Sequence, residues 1–462
     1  MAKSVENQVE QTKVLPQYVA ALVANLLVAS VGCAMSWTSP TLLKMDSGET
    51  DIPASSDEKS WIGSLTPLGA VFSPFLAGYT ADRWGRKTTL IATACPVIVG
   101  WVLIACAEPA RSIPLIYVGR IIHGLCLGVA FTVIPMYCGE IAEDKVRGAL
   151  GSFLQIFVSL GSLSQYAVGP YVSYLVLTIF SATVPFLFAV TMWFIPESPY
   201  QHVMAGEEQK ALEALQWLRG TSVEAVKEEL AIIKENVREK MENKSTPRDL
   251  ISTKASVTAL YLSMGLLGLQ IFTGIDAILF YCQDIFAASG GDLDSSVSTI
   301  IVGMVMLLAS ACTPFIVESL GRRILLLISA AGMAVSLALI GTFFHLLNNN
   351  SDTSSIGWLP VVSLVIYMIV FSIGFGPVPW AVMGELFAPN VKSMASSIAT
   401  SFCWFLAFLV TNFFPTISKE LGSDYAFWIF GIFAVVAFVS VFFLLPETKG
   451  KSLQEIQAIL GG

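Results

Sequence analysis

The chain has 462 residues, of which 55% are hydrophobic and 13% charged, and its mean hydropathy is +0.70. Soluble domains are about 45–50% apolar and about 25% charged, so the composition excludes an ordinary soluble protein and indicates a membrane protein. The net charge of −8 and the lack of a basic cluster argue against nucleic-acid binding. The eight cysteines lie in or beside apolar stretches, where they act as small hydrophobic residues, and none of their spacings suits a metal.

The polar residues 1–17 lack the features of a secretory signal and form an N-terminal tail. Apolar runs of membrane-spanning length follow along the rest of the chain. Twelve are predicted, at 18–40, 61–80, 88–107, 114–138, 148–170, 173–195, 255–287, 295–317, 324–346, 358–386, 393–417 and 424–445. Most lysines and arginines lie on one side of these spans. The positive-inside rule therefore predicts a multi-pass protein of the cell membrane, in contact with the lipid bilayer, with both termini cytoplasmic.

Residues 200–254, called the insert here, break the hydrophobic pattern. The stretches 207–219 and 223–241 alternate charged and apolar residues at helical spacing, which predicts amphipathic helices on the cytoplasmic surface. Such helices either cap the inner ends of the spans or bind a partner. The first interpretation is preferred, and no obligate protein partner is implied.

The two halves of the chain share their landmarks. The segment 82–87 follows span 2 as 318–323 follows span 8, and Gly-Glu pairs at 139–140 and 384–385 are each followed by a basic residue seven positions after the glutamate. Pro-Glu-Ser at 196–198 likewise matches Pro-Glu-Thr at 446–448. These matches indicate an internal duplication with six spans in each half, an organisation typical of secondary transporters. The predicted units are 18–199, the insert, 255–447 and a cytoplasmic tail, 448–462.

Five of the motifs together resemble those of the sugar porter family of the major facilitator superfamily, and within it the insect facilitated trehalose and hexose transporters. They are the segments 82–87, 119–120, 196–199, 376–380 and 446–450. The resemblance covers about residues 18–455. It implies an all-α membrane protein with the major facilitator fold, in which twelve transmembrane helices form two pseudo-symmetric six-helix bundles with a cytoplasmic helical insert. It also implies facilitative uniport of a sugar, trehalose or a hexose, by alternating access.

The same resemblance assigns a gating role to charged residues at the inner helix ends, which tie the bundles together when the cavity faces outward. The expected gating residues are Asp82, Arg83, Gly85, Arg86, Glu140, Arg147, Glu197, Glu318, Arg322, Glu385, Lys392 and Glu447. The sequence departs from the family pattern at Tyr200 and Ser319, where arginines are usual. The alternative interpretation of these charges is the ordinary positive-inside signal.

A sugar site needs amide or hydroxyl side chains that both donate and accept hydrogen bonds, together with aromatic surfaces. The expected substrate-binding residues are Gln155, Gln270, Thr273, Asp276, Trp380 and Trp404. A glutamine in a span is otherwise a helix–helix hydrogen-bonding group, and Trp404 is otherwise a packing residue. Ile271, Met306 and Cys403 replace amides of the family pattern, which indicates a site with altered specificity.

Asp276 is an intramembrane carboxylate, and such groups are functional candidates by default. It either accepts sugar hydroxyls, caps a broken helix or carries a coupling proton. Proton-linked relatives place an aspartate in span 1 opposite the span 4 arginine, but here the matching position is most nearly Ala34. Arg120 is left without that partner, which favours uniport. His123, one turn beyond Arg120, is a titratable alternative, although a packed neutral histidine is preferred.

Three other functions remain open at this stage: a proton-coupled symporter, a nontransporting sugar sensor and a transporter of another solute. The sequence has neither a phosphate-binding loop nor a nucleophile–base pair, so neither enzymatic activity nor a cofactor is expected. Asn349, in the outer loop after span 9, begins an N-glycosylation pattern, whereas the matching pattern at 243–245 is expected to lie inside and remain bare.

Overall fold

The computed structural model describes residues 13–242, 249–290, 293–387, 389–451 and 453–461. The first half of the chain is helical over most of its length. Its helices are α1 (Leu15–Ser36), α2 (Thr38–Ser47), α3 (Ser56–Ala70), α4 (Ser73–Trp84), α5 (Arg86–Ala110), α6 (Ile113–Ile141), α7 (Asp144–Val168) and α8 (Tyr174–Met192). The insert region contributes α9 (Pro199–Met204), α10 (Glu208–Arg219) and α11 (Val223–Glu242). The amphipathic helices predicted there are thus present.

The second half repeats the pattern of the first. Its helices are α12 (Lys254–Phe272), α13 (Ile275–Ser289), α14 (Ser295–Leu320), α15 (Arg322–Asn348), α16 (Leu359–Ile373), α17 (Val378–Leu386), α18 (Pro389–Glu420), α19 (Ser423–Leu444) and the terminal α20 (Leu453–Gly461). In the described part of the chain, eleven helical segments are long and apolar enough to cross a membrane, and α3 with α4, bent by 42°, makes a twelfth. The predicted all-α, twelve-span fold is confirmed.

Two spans of the second half are interrupted near their middle. Gly274 separates α12 from α13 with a φ of +88°, a backbone conformation that a side chain rarely adopts. Residues 374–377 separate α16 from α17, and Pro377 and Pro379 at the start of α17 prevent a continuous hydrogen-bond ladder. Unpaired backbone groups within a membrane are tolerated only where protein or a cavity surrounds them. The two interruptions therefore mark the interior of the molecule.

Three pairs of helices make most of the contact between the halves: α3 with α18, α7 with α14 and α2 with α13. Smaller contacts join α4 with α18 and α1 with α13. The insert and the turns at Gly85, Ala142, Gly321 and Phe387 share one end of the bundles, called the insert end. The opposite end, with the connections near residues 48–55, 111, 172, 350 and 422, is called the loop end. At the loop end, Thr38 donates to the carbonyl of Phe280 (2.9 Å), and the Gln283 N–H donates to the Ser39 hydroxyl (2.9 Å). These bonds hold α13 against the first half.

The insert is fastened to the first half through Arg219, the last residue of α10. The Arg219 side chain is buried, pairs with Glu229 of α11 and with Glu143, and donates to the carbonyl of Ile141 (2.8 Å). Its own carbonyl accepts the backbone N–H of Lys13 (2.7 Å). The α10–α11 pair, the start of α1 and the α6–α7 turn thus share one junction.

Candidate functional site

The interrupted spans meet at Gln270, which lies one turn before the break at Gly274. The Gln270 side chain is buried and its Nε2 donates to the carbonyl of Gly376 (2.9 Å), in the break between α16 and α17. The break leaves that carbonyl without a hydrogen bond inside a helix, and Gln270 supplies the missing donor. The side chain is thereby held between the two broken spans, and its Oε1 atom accepts no hydrogen bond from the described residues.

An aromatic group lies beside this junction and spans the two halves. Phe131 of α6 is 6.4 Å from Trp380 of α17 and 5.9 Å from Trp404 of α18, measured between ring centroids. Both distances lie in the range of favourable edge-to-face and tilted ring contacts. Trp380 is part-buried and Trp404 is buried. Sequence analysis selected both tryptophans, and the structure brings them to one phenylalanine of the opposite half.

Three buried polar atoms of the expected binding residues have no hydrogen-bond partner. They are Oε1 of Gln270, Oδ2 of Asp276 and Nε1 of Trp404. A buried polar atom without a partner costs about 1–3 kcal/mol, and native structures contain few of them. The set includes two acceptors and one donor, which are the functions that a hydroxyl group satisfies.

Thr273 and Asp276 flank the break in the seventh span. Thr273 is buried, and its hydroxyl lies 3.3 Å from that of Tyr367, which also donates to the Thr273 carbonyl (3.1 Å). Asp276 is also buried, and its carboxylate interacts electrostatically with Tyr367 and Cys403. Thr273 therefore serves first to hold the break against α16, whereas Asp276 makes no hydrogen bond within the described chain.

Gln155 of α7 is part-buried. It lies one turn from Ser159, whose hydroxyl is 3.1 Å from that of Ser310 in α14. This serine pair joins the two halves, and it places Gln155 on the α7 face that points towards the second half. Substrate contact for all six residues stays a prediction.

At the insert end of the first half, a buried arginine organises the predicted gating residues. Arg86 is fully buried, and its guanidinium donates to Glu140 (2.7 and 3.1 Å) and to the carbonyl of Ala81 (3.1 Å). Glu140 also accepts from the hydroxyl of Ser198. The Glu197 carboxylate accepts the backbone N–H groups of Arg86 and Lys87 (both 3.0 Å).

The second half repeats the central contacts of this arrangement. Arg322 donates to Glu385 (2.9 and 3.1 Å), and Glu385 accepts from the hydroxyl of Thr448 (2.6 Å). Glu447 accepts the backbone N–H groups of Arg322 and Arg323 (both 3.1 Å). Burial disfavours the charged form of Glu447, but the backbone donors outweigh it and lower the pKa of this carboxyl below its usual value.

A glycine makes each of these clusters possible. Gly85 and Gly321 have φ values of +94° and +86°, and a Cβ added to them would lie 3.0 Å from the Glu197 carboxyl carbon and 3.2 Å from that of Glu447. The turn conformation and the close approach of the glutamate both exclude a side chain. The duplication seen in the sequence is therefore a duplication of geometry as well.

The following contacts of these motifs lie within one half. Asp82 pairs with Arg86 (3.5 Å), Arg83 donates to the hydroxyl of Tyr79, and Lys392 interacts electrostatically with Glu385. Arg147 donates to the carbonyl of Ala142 (3.5 Å). The side chain of Glu318 lies outside the described residues. A latch that ties the two bundles together stays a prediction.

Arg120, in span 4, is fully buried and donates to the carbonyls of Ile62 (2.9 Å) and Ala34. Its guanidinium lies 5.9 Å from the ring of Trp37 and 5.7 Å from that of Phe280. Carbonyls and aromatic faces thus stabilise this charge. The span 1 partner of this arginine is therefore the carbonyl of Ala34, not a carboxylate.

Sequence reasoning missed Phe131, Tyr367 and Arg219. Tyr367 carried a usable signal, because a tyrosine within an apolar span needs a partner for its hydroxyl. Phe131 carried none, since phenylalanine is common in spans. Asn349 is exposed at the loop end, and its side chain donates to the carbonyl of His345 (2.8 Å). Its glycosylation stays a prediction, and the pattern at 243–245 lies outside the described residues.

Comparison with known proteins agrees with this architecture. Residues 18–460 match the model of the family described as "Sugar (and other) transporter". The chain is 38% identical over 448 residues to the facilitated trehalose transporter Tret1 of Anopheles gambiae and to that of Culex quinquefasciatus. Each match covers 96% of this chain, 56% of the Anopheles protein and 86% of the Culex protein. The chain thus spans little more than half of one of these relatives and most of the other.

Among solved structures, the chain resembles the proton:xylose symporter XylE bound to 6-bromo-6-deoxy-D-glucose. The TM-score is 0.79 at 24% identity, over 96% of this chain and 99% of that chain. An inward-open conformation of XylE from E. coli gives a TM-score of 0.79 at 23% identity over 96% of this chain and 99% of that one. These likenesses confirm the two-bundle fold.

Proposed function

Since the chain belongs to the sugar (and other) transporter family, we propose that it carries a sugar across the membrane by alternating access. The proposal specifies facilitative transport of trehalose or a hexose, because the curated relatives are facilitated trehalose transporters. The spans make it a multi-pass membrane protein. A cytoplasmic position of the insert end, which the distribution of positive charge supports, and location in the cell membrane are part of the proposal.

The observation that carries the proposal is the set of unpartnered buried atoms on Gln270, Asp276 and Trp404. A polyhydroxylated ligand supplies both donors and acceptors, and its C–H faces pack on the Phe131–Trp380–Trp404 rings. The site lies where the two halves meet and beside two broken spans. Helix movement at these breaks would expose the site to one side and then to the other.

Replacing Gln270 with alanine is expected to reduce sugar uptake at least tenfold. The change removes an acceptor for the sugar and leaves the Gly376 carbonyl without its donor. Initial rates of trehalose and glucose uptake into proteoliposomes would measure this effect.

The matched control is Gln165→Ala, which removes a buried glutamine of α7 that accepts from Ser181 within the first half (3.1 Å). This variant should retain most of the uptake. Equal losses in the two variants would mean that burial, not ligand binding, explains the effect of Gln270→Ala. Wild-type uptake in Gln270→Ala would contradict the proposed site.

A second candidate function is proton-coupled transport, which the buried carboxylate of Asp276 favours. The proposal of facilitative transport instead expects that an imposed proton gradient leaves uptake unchanged in the wild type and in Asp276→Asn. Asparagine keeps the shape and one acceptor but removes the charge, so sugar binding should weaken about tenfold while uptake stays measurable. Accumulation of sugar that follows the gradient in the wild type and is absent in Asp276→Asn would establish coupling.

A further inference from the structure

A second cavity lies at the loop end, away from the Gln270 group. It has a volume of about 340 Å³ and is bounded by both halves of the chain. One wall is formed by the end of α2 and the start of α3, and the other by α13 and the loop-end portion of α18. We call it the loop-end cavity.

Tyr281 lines the loop-end cavity. Its hydroxyl donates to the carbonyl of Thr411 in α18 (3.0 Å) and lies against Gly63 of α3. Tyr281 departs from helical geometry, with φ −122° and ψ 19°, so α13 is kinked at this residue. Tyr281 therefore lies in the cavity wall where α13 is kinked, between α3 and α18.

The residues that line the cavity include carboxylates, lysines and aromatic side chains. Asp46, Lys59 and Asp284 line the cavity together with the rings of Tyr281, Phe344 and Phe414. Lys59 pairs with Asp46 within the first half. Asp284, on α13, interacts electrostatically with that pair but makes no hydrogen bond or ion pair with the described chain. The part-buried carboxylate of Asp284 can therefore accept hydrogen bonds from a ligand in the cavity.

We propose that the loop-end cavity is a second carbohydrate-binding subsite, in which Asp284 accepts ligand hydroxyls and the aromatic wall contacts the ligand's C–H face. The inference rests on the proposed function. A cavity of this size lies at the lower end of the range of small-ligand sites, about 300–1,000 Å³. A ligand held here would occupy the loop end before Tyr281 moves and α13 releases its bonds to Thr38 and Ser39.

A carbohydrate fits this wall better than an inorganic cation does. The wall contains two lysines as well as four carboxylates: Lys59 and Lys419 with Asp46, Asp57, Asp284 and Glu420. A lysine repels a cation, whereas it can donate to a hydroxyl oxygen. The rings of Phe344 and Phe414 offer a cation no oxygen ligand, but they suit the apolar face of a sugar ring. Acceptor, donor and aromatic surface occur together, as sugar recognition requires.

Photoaffinity labelling of the full chain in proteoliposomes would test this subsite. The probe is trehalose carrying a small diazirine, with labelled peptides mapped by mass spectrometry and competed by free trehalose. We expect label in two places, at 281–288 or 414–427 and near Trp380 or Trp404. Asp284→Asn should reduce the loop-end label at least tenfold, equivalent to about 1.4 kcal/mol, while changing the central label less than twofold.

Matched variants separate the alternatives. Gln270→Ala should reduce the central label and leave the loop-end label. Asp51→Asn is the charge control, because it removes an exposed ion pair with Arg111 (3.2 Å) at the same end, and both labels should persist. Asp284→Glu should restore the loop-end label, and monodisperse elution of each variant checks folding.

Each outcome bears on a different claim. Central label and sugar uptake without loop-end label in the wild type would overturn the subsite and leave the proposed function intact. Loop-end label that persists in a folded Asp284→Asn variant would also overturn it. Absence of both labels together with absence of sugar uptake would instead refute the proposed function.

Discussion

Replacing Arg86 with alanine is expected to destabilise the protein by about 3–5 kcal/mol and to slow sugar uptake, while the chain still inserts into the membrane. The guanidinium is fully buried, and it holds the part-buried Glu140 and the carbonyl of Ala81. Removing one partner of a buried ion pair leaves an uncompensated charge, which is why the cost is large. Thermal unfolding of the purified protein and initial uptake rates would measure the two effects.

The duplicated structure supplies the control for this experiment. Arg322 makes the corresponding pair with Glu385 in the second half, but its side chain is 22% exposed whereas that of Arg86 is 0% exposed. Water can compensate Glu385 in part, so Arg322→Ala should cost less, about 1–3 kcal/mol. Equal losses of stability in the two variants would show that burial does not set the difference. Normal stability and uptake in Arg86→Ala would refute the structural role of the cluster.

Replacing Gly274 with alanine should destabilise the protein by about 2–5 kcal/mol and abolish most transport. The φ of +88° is unfavourable for any residue with a Cβ, at about 1–2 kcal/mol. The new Cβ would also lie 2.7 Å from Cε2 of Phe430, and overpacking adds about 1–3 kcal/mol. Thermal unfolding and uptake assays would report both losses.

Two further variants test this reasoning about Gly274. Gly265→Ala, in the same span, meets no neighbouring atom within 4 Å and should be tolerated. In a Phe430→Ala background the steric overlap is absent but the backbone strain remains, so Gly274→Ala should cost less there than in the wild type, about 1–2 kcal/mol. Full stability of the Gly274→Ala single variant would indicate that the break can form without a left-handed residue.

The fold could be predicted largely from the sequence because its two strongest signals are physical requirements. Spans must be long and apolar, and the inner turns of a duplicated transporter carry matching motifs. The pairing of Arg86 with Glu140 and of Arg322 with Glu385 follows the matched positions. The separate helix α2 and the terminal helix α20 were not predicted. Each is short and depends on contacts with distant segments, such as that of Gln457 in α20 with the Leu386 carbonyl (2.6 Å).

The sequence allowed individual residues of the candidate site to be selected, but it did not predict which of them lie close together. Gln270, Trp380 and Trp404 were selected for their chemistry, yet their proximity depends on Phe131 and on the carbonyl of Gly376. A phenylalanine and a main-chain carbonyl leave no distinguishing mark in one sequence. The bonding of Thr273 to Tyr367 was likewise hidden, because it depends on how two broken spans pack. The tertiary structure supplies this information.

The contacts of Arg219 attach the α10–α11 pair firmly to the first bundle. Because Arg219 joins Glu229 to the carbonyl of Ile141, this pair is fixed to the first half at a point outside the apolar spans. An antibody fragment raised against the exposed face of α11 would therefore report the orientation of that bundle. Such a fragment would also add an alignment feature for electron microscopy to a molecule that offers few others beyond the detergent micelle.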